Sequence, residues 1–299
     1  MAYQLKSSES IPEGIKRIVK KEFESALDQL SGENEGDAGV AIHETRKSIK
    51  KIRAVLRLLR TEPGGAFGSQ NGKLQAAGRK LSELRDAAVM LEVFDKLNHK
   101  YADELSKRTV DMIRRRLAAR KKQIDKETEN SDLLGDVSTA LHACMKRIKK
   151  WPLQLDGFSA IAPGIERTFR RARKAMKYAR KHPEPENFHE WRKRVKDHWY
   201  LMRLLSNLPG QWIRVHERNL KKLETSLGDD HNLVVLREKM IGQTGLESLI
   251  VRYQSELRGT ALALGQGIYE EQPRQFTCRM KYLWGSWTAQ STPSRGKGK

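Results

Sequence analysis

Two segments of the sequence each place a histidine just ahead of a group of arginines and lysines. The first runs from His43 to Lys50 (HETRKSIK) and the second, 146 residues later, from His189 to Lys196 (HEWRKRVK). Arginine, lysine and histidine side chains donate charge-assisted hydrogen bonds to phosphate oxygens, and a helix N-terminus adds backbone amides and a favourable dipole. The repeated residues therefore predict a binding site for phosphate groups.

The same residues fit other chemistries poorly. The zinc signature HExxH needs a second histidine one turn after the first, and that position holds Lys47 or Lys193, whose charge repels a metal ion. Neither cysteine has a histidine at the spacing of a nucleophile motif, and the sequence contains no GxSxG and no GxxxxGK[ST]. Asp229 and Asp230 fit helix caps better than cation ligands. We therefore expect no catalytic residue, no metal and no cofactor.

The composition favours a polyanionic partner. The chain has 58 lysines and arginines against 37 acidic residues, which gives a net charge of +21 and a pI near 10.0. Such a charge attracts DNA, RNA, a phosphate polymer or an anionic membrane. No stretch approaches the length of a membrane span, the first residues lack the apolar run of a signal peptide, and two distant cysteines suit a reducing compartment. The sequence therefore predicts a cytoplasmic protein without a membrane partner.

Helical periodicity covers almost the whole chain. Apolar residues around each repeated histidine recur at steps of three and four. These stripes comprise Ile42, Thr45, Ile49, Ile52, Leu56 and Leu59 in the first segment, and Phe188, Trp191, Val195, Met202 and Leu205 in the second. His198 interrupts the second stripe, and we expect it to be packed and hydrogen-bonded. No alternating run rich in valine and threonine competes, so the sequence predicts an all-α fold.

The repeated cations lie on the opposite face of these two helices. At 100° per residue they occupy a band about 100° wide and about 21 Å long. The band comprises His43, Arg46, Lys47, Lys50 and Arg57, and in the second copy His189, Arg192, Lys193, Lys196 and Arg203. A basic helix face can simply be solvated, but these cations are kept between copies while a buried position changes from Ile52 to His198. A binding surface explains that pattern better.

The start of the second histidine helix carries a further signal. Asn187 is followed three residues later by Glu190, which resembles a capping box. This spacing predicts that the helix begins at Asn187, with His189 in its first turn.

The repeat extends beyond the histidine segments and indicates an internal duplication. Residues 81–90 align with residues 227–236 at the same offset of 146, and residues 11–17 align with residues 161–167 at an offset of 150. We expect copies over 11–150 and 161–287, a linker from Trp151 to Gly164, and a disordered basic tail over 288–299. The first helix of each copy adds cations that we expect to form second walls of the same groove: Arg17, Lys20, Lys21, Arg167, Arg170 and Arg171.

These paired motifs resemble the CHAD domain, a histidine-containing α-helical domain. The shared features are a helix-start histidine, Arg at +3, Lys at +4, a cation at +7, a leucine-rich end and then an L-x-x-x-[RH]-[DN]-x-x-V turn, and the resemblance extends from Ile11 to Trp287. It implies a single domain of two pseudo-symmetric four-helix-bundle lobes around a central basic channel that binds inorganic polyphosphate. On this resemblance, the cations of both bands and of both first helices line the channel. The ExExK signature of the triphosphate-tunnel domain, present in many relatives, does not occur in this sequence, so turnover of phosphate chains is not implied.

Three functional hypotheses follow from the residues and the resemblance. The leading one is non-catalytic binding of long-chain inorganic polyphosphate, with polyphosphate granules as a candidate location. The second is RNA or DNA binding, which needs aromatic side chains for base stacking, and only Tyr200 lies within the repeated band, at the place of Ala54. The third is a metal-dependent phosphohydrolase using His43 and His189, which lacks carboxylates at a recognisable spacing. We therefore expect inorganic polyphosphate as the partner.

Overall fold

Helices account for all the regular structure of the described chain. The computed structural model describes residues 3–31, 38–59, 67–102, 104–129, 131–148, 150–151, 153–240, 242 and 244–291. No strand occurs within these ranges, which confirms the all-α prediction. The helices are α1 (Ile11–Leu30), α2 (Ala38–Leu58), α3 (Phe67–Lys80), α4 (Ser82–Lys100), α5 (Lys107–Glu129), α6 (Leu133–Ile148), α7 (Gly157–Lys181), α8 (Pro185–Leu204), α9 (Gln211–Lys239), α10 (Thr244–Ile268) and α11 (Pro273–Ser291). None of these described helices combines the length and the apolar character needed to cross a bilayer.

The apolar stripes of α2 and α8 point inward, as the periodicity predicts. Ile49, Ile52 and Leu56 of α2 are at most 1% exposed, and Trp191 and Val195 of α8 are fully buried. Burial of one such side chain stabilises the fold by about 1.5–3 kcal/mol. Because these faces are fixed in the core, the cations on the opposite faces of α2 and α8 are fixed as well.

Two hydrophobic clusters hold the helices together, and they do not follow the boundary between the predicted copies. The larger cluster packs mainly α1, α2, α3, α6, α7, α8 and α11 against the first part of α9. The smaller cluster joins α4, α5 and α10 to the last part of α9. The larger cluster draws on both halves of the chain, so α2 and α8 are held by one shared core. The division into two lobes stays a prediction.

The end of α2 lies directly against α7. A Cβ added to Gly164 of α7 would come within 2.0 Å of the carbonyl oxygen of Leu58, so this position excludes any larger residue. One turn further along α7, the guanidinium of Arg167 donates a hydrogen bond to the carbonyl oxygen of Arg57. This close approach places a cation of α7 beside the cations of α2.

The predicted linker is shorter than expected. α7 begins at Gly157, which has a positive φ of 65°, and it continues through Pro163, so residues 157–164 are helical. Pro163 cannot donate the backbone hydrogen bond of an interior helix position. Burial of Ile161 and Ile165 on the same helix outweighs that loss. The prediction that residues 157–164 belong to the linker was therefore wrong.

The predicted disordered tail is also shorter than expected. α11 continues to Ser291, so Thr288–Ser291 are helical, and the remainder of the predicted tail lies outside the described residues. Trp287 is 9% exposed in the larger core and its ring lies 5.2 Å from that of Trp284. These buried aromatic rings extend the helix into the segment predicted as tail.

The capping-box prediction for the second histidine helix was wrong. α8 begins at Pro185, two residues before Asn187. The Asn187 amide donates instead to the carbonyl oxygen of His182 at 3.0 Å and to the Glu184 carboxylate at 2.7 Å. Proline suits the first turn of a helix because its φ is already helical and its missing N–H is not needed there. His189 therefore lies in the second turn of α8.

The turn expected after each histidine segment occurs in only one copy. In the first copy Leu81 separates α3 from α4, but in the second copy residues 227–235 lie inside the uninterrupted α9. The turn prediction was therefore wrong for the second copy. Gly228 is buried in α9, and a Cβ there would lie 3.6 Å from Nε of Arg192. This glycine allows close packing of α9 on α8 and does not mark a turn.

His198 is packed and hydrogen-bonded, as its place in the apolar stripe predicts. Its Nδ1 lies 3.2 Å from the hydroxyl of Tyr269, and its ring is 5.2 Å from that of His216 and 5.3 Å from that of Phe276. Burial lowers the pKa of His198 well below its usual value and lowers the pKa of His216 to about 4. Both rings are therefore neutral in the folded protein at pH 7.

Substitution of His216 should make the fold less sensitive to acid. A histidine whose folded pKa lies below its unfolded value of about 6.5 contributes stability that is present above about pH 6.5 and is lost as the pH falls toward the folded pKa. Between pH 7 and 5, the free energy of unfolding should therefore fall by about 2 kcal/mol more in the wild type than in His216→Phe. Urea denaturation at each pH measures this difference. His142→Phe, at an exposed position, should behave like the wild type; parallel curves for the wild type and His216→Phe would contradict the assignment.

Candidate anion-binding site

Cations from α2 and α8 line one cavity of about 550 Å³, the central cavity. α3, α4 and α9 complete its wall with Gln75, Asp86, His231 and Asn232. The predicted binding residues in this wall are His43, Arg46, Lys50, Arg57, His189, Arg192, Lys193 and Lys196. The fold thus brings most of the two predicted bands together around one space.

A second cavity of about 350 Å³, the side cavity, adjoins the first. It is rich in arginine, and its guanidinium groups come from α2, α7 and α8: Arg53, Arg57, Arg167, Arg171 and Arg194. Arg53, Arg57, Arg194 and Asp197 line both cavities. The predicted residues Arg167 and Arg171 of α7 therefore belong to the side cavity.

The other predicted binding residues lie outside both cavities. They are Arg17, Lys20, Lys21, Lys47, Arg170 and Arg203. Several of them are engaged elsewhere: Arg17 pairs with Glu9 at 2.5 Å, and Lys47 pairs with Glu44 at 2.8 Å. The guanidinium of Arg203 lies 5.1 Å from the ring centre of Trp199. A role for these six residues in binding stays a prediction.

The cations of the central cavity are crowded and poorly hydrated. Burial, together with the charges of Lys196 and Arg46, lowers the pKa of Lys50 to about 6. Burial likewise lowers the pKa of Arg192 and of Lys196, although the nearby carboxylate of Glu224 opposes both shifts. A lowered pKa means that the charged form of the side chain is less stable in the cavity than in water. The central cavity is therefore an environment that an added anion would stabilise.

Several hydrogen-bond donors in the cavity walls have no partner. Nε of Arg57, Nε of Arg192 and Nδ1 of His189 are buried without a hydrogen bond to any part of the chain that the structure describes. A buried polar group left unpaired costs about 1–3 kcal/mol. An oxyanion in the cavity would satisfy such donors as well as compensate their charge.

Two carboxylates offset part of the positive charge. Glu224 of α9 accepts hydrogen bonds of 2.8 Å from Lys196 and from Lys221. Burial alone would raise the pKa of Glu224, but the Lys196 ammonium lowers it to about 2, so this carboxylate is ionised at pH 7. Burial raises the pKa of Asp86 even though Arg46 lies near it. These carboxylates compensate part of the charge near Lys50 and Arg192, but burial still lowers the pKa of both side chains.

The two repeated histidines have different surroundings. The ring of His189 lies 4.0 Å from that of His231 of α9, and burial lowers the pKa of His189 to about 4 and that of His231 to about 3. His43 is more exposed, at 49%, and its Nε2 lies 3.9 Å from a carboxylate oxygen of Glu44. His189 and His231 are thus neutral at pH 7 and can act there as hydrogen-bonding groups.

The sequence predictions missed three basic residues in the cavity walls. Arg53 and Arg194 were missed because the repeat places Trp199 and Ser48 at the equivalent positions, so the duplication gives no signal for them. His231 occupies the [RH] position of the L-x-x-x-[RH]-[DN]-x-x-V motif that follows the second histidine segment. This match to the motif is the sequence feature that could have identified His231.

The acidic pair of α9 has a structural role other than the predicted one. Asp229 and Asp230 lie inside α9, so the interpretation as helix caps was wrong. Asp229 pairs with Lys96 at 2.5 Å, and Asp230 pairs with Arg258 at 2.8 Å. These ion pairs tie α9 to α4 and α10. Among the described residues, no group of three or more histidine, cysteine or acidic side chains is arranged to hold a metal ion.

The one aromatic residue of the repeated band is buried. Tyr200 is 3% exposed, and its ring packs edge-on against Tyr3 at 6.3 Å. A base-stacking platform needs an accessible ring face. Tyr200 therefore offers almost no surface for stacking in the central cavity.

Comparison with known proteins identifies similar folds. The family model of the CHAD domain matches residues 21–240. The crystal structure of the CHAD domain from the plant Ricinus communis is similar with a TM-score of 0.55 and 16% identity over 94% of each chain. PptA from Streptomyces chartreusis is similar with a TM-score of 0.55 and 12% identity, over 89% of this chain and 100% of that one. Among curated proteins there is no significant match. At these identities, the two structural likenesses show a shared fold.

Removal of the central cations should weaken the binding of a phosphate polymer. We expect the triple variant Arg46→Ala, Lys50→Ala and Arg192→Ala to bind long-chain polyphosphate at least about tenfold more weakly, because each substitution removes a charge-assisted contact. The slope of log affinity against log salt concentration should also become shallower by roughly 2–3. Titration calorimetry at several salt concentrations measures both quantities.

A matched control uses three arginines on another surface. Arg114, Arg115 and Arg116 are exposed on α5, and their replacement by alanine removes the same number of basic side chains. This variant should bind within about twofold of the wild type, since screening weakens distant surface charges. Similar losses in the two triple variants would show that diffuse charge, and not the cavity, binds the polymer.

Proposed function

The chain belongs to the CHAD domain family, which is associated with polyphosphate binding, and on that premise we propose that it binds long-chain inorganic polyphosphate in the central cavity. The observation that carries the proposal is the crowding of buried cations from α2 and α8 around one space. Lys50 and Arg192 have lowered pKa values there, and Nε of Arg192 has no hydrogen-bond partner within the described chain. A chain of phosphates supplies charge and acceptor oxygens at many successive positions.

The dimensions of the cavity suit a linear polymer. The cationic band of α2 extends about 21 Å from His43 to Arg57, and α8 contributes a second band to the same wall. A small anion would neutralise only part of the charge along this band. Each phosphate that contacts an arginine or lysine also releases condensed counterions, so affinity should depend steeply on salt.

The proposed role is binding without catalysis. His189 and His231 are neutral at pH 7 because burial lowers their pKa values, and they lie beside Arg192 and Lys193. In these surroundings we assign them to hydrogen bonding with phosphate oxygens, and we assign no proton transfer to them. Binding of this kind would retain the protein on polyphosphate granules in the cytoplasm.

Nucleic acid is the competing polyanion. It would use the same positive charge, but its bases need accessible aromatic rings, and Tyr200 is buried. A duplex is also too thick to enter a cavity of about 550 Å³. Polyphosphate has neither bases nor a second strand, so the properties of the cavity favour it.

The protein should prefer polyphosphate to nucleic acid. We expect long-chain polyphosphate to bind at least about tenfold more tightly than single-stranded RNA or duplex DNA, because only the unbranched chain places successive phosphates against the buried cations. Fluorescence competition at matched phosphate concentration and about 0.15 M ionic strength measures the ratio. Equal or tighter binding of either nucleic acid would overturn the proposed function.

A further inference from the structure

The central cavity and the side cavity meet at an ion bridge. Oδ1 of Asp197 on α8 lies 2.5 Å from Nη2 of Arg57 on α2, and its Oδ2 lies 3.6 Å from Nη1 of Arg194. The Asp197 side chain is 17% exposed and the Arg57 side chain is 21% exposed. All three residues line both cavities. The bridge therefore lies where one cavity passes into the other.

The Asp197 carboxylate takes the place that a phosphate could occupy between Arg57 and Arg194. Its carboxylate contacts two guanidinium groups that line both cavities. A phosphate at the same place would compete with the carboxylate for Arg57 and Arg194, and the negative charge of Asp197 would repel it.

The side cavity beyond the bridge is suited to further phosphates. Among the described residues, Arg53 donates to the neutral amide oxygens of Asn71 at 3.0 Å and of Gln75 at 2.9 Å. Burial, with the charge of Arg57, lowers the pKa of Arg53 to about 10, and burial also lowers the pKa of Arg171. The positive charge of this cavity is incompletely compensated, so an anion that reached it would be bound.

The carboxylate is not required by the repeated helix itself. At the offset of 146 residues, the position of Asp197 corresponds to Lys51 in the first copy. Lys51 forms the opposite kind of pair, with its Nζ 2.7 Å from the carboxylate of Glu22. The duplication therefore kept the binding cations on both helices but placed an internal anion at only one of the two positions.

We propose that Asp197 is an internal counter-anion that separates the two cavities, and that only a phosphate chain long enough to fill the central cavity displaces it and continues into the side cavity. This inference rests on the proposed function. A short chain binds the central cations without disturbing the bridge. A long chain gains the arginines of the side cavity, and those added contacts offset the loss of the Asp197 contacts. Asp197 thus sets which chain lengths use both cavities.

The test compares the affinities of long-chain polyphosphate and tripolyphosphate. In Asp197→Asn the ratio of long-chain affinity to tripolyphosphate affinity should rise about tenfold. The gain corresponds to one charge-assisted contact for which the phosphate chain no longer competes with the Asp197 carboxylate. The control Asp86→Asn removes the same charge from the wall of the central cavity alone and should leave the ratio within about twofold of the wild type. An unchanged ratio in Asp197→Asn, or the same change in Asp86→Asn, would overturn the inference.

A second variant locates the added contacts and does not depend on the folding of Asp197→Asn. Arg171 lines the side cavity and not the central cavity. Arg171→Ala in the wild-type background should weaken long-chain binding about threefold or more and leave tripolyphosphate binding unchanged. Equal effects on both ligands would contradict passage into the side cavity. If the wild type binds neither ligand, the proposed function is wrong. If the wild type binds both ligands and the ratio of their affinities is the same in the variants, only the role of Asp197 is wrong.

Discussion

Cations held close together with little water are the feature on which the site depends. Arg46, Arg192 and Lys196 lie near Lys50, and their charges together with burial lower the pKa of Lys50 to about 6. Hydrophobic packing on the opposite faces of α2 and α8 offsets this cost, because side chains such as Ile52 and Trp191 are fully buried in one shared core. The helices cannot separate to relieve the repulsion without exposing that core. On the proposed function, an anion bound between the helices would relieve the repulsion instead.

The carboxylates around the cavities offset part of the positive charge of the arginines and lysines. Glu224 compensates Lys196 at 2.8 Å, and Asp197 compensates Arg57 at 2.5 Å. Glu224 also lies near Lys50 and Arg192, but burial lowers the pKa of both side chains in spite of it.

The sequence predicted those parts of the site that follow from helical period and from duplication. The step of three and four residues placed Ile49 in the core and Lys50 on the cationic face, and the structure agrees. Features specific to one copy carried no repeat signal, which is why Arg53 and Arg194 were missed. Local rules failed where tertiary packing outweighed them: Pro163 stays inside α7 because its neighbours are buried, and α9 continues through Gly228. The meeting of α2 and α8 depends on the shared core, which no local pattern encodes.

Proton uptake on binding tests the central claim most directly. The pKa of Lys50 is about 6 in the empty cavity, so this side chain is mostly neutral at pH 7, and phosphates beside it should raise that pKa. Calorimetric titration with long-chain polyphosphate at pH 7, in two buffers of different ionisation enthalpy, gives the number of protons exchanged. We expect net uptake of about one proton per site, lost in Lys50→Met. No uptake, or net release, would contradict binding against the buried cations of α2 and α8.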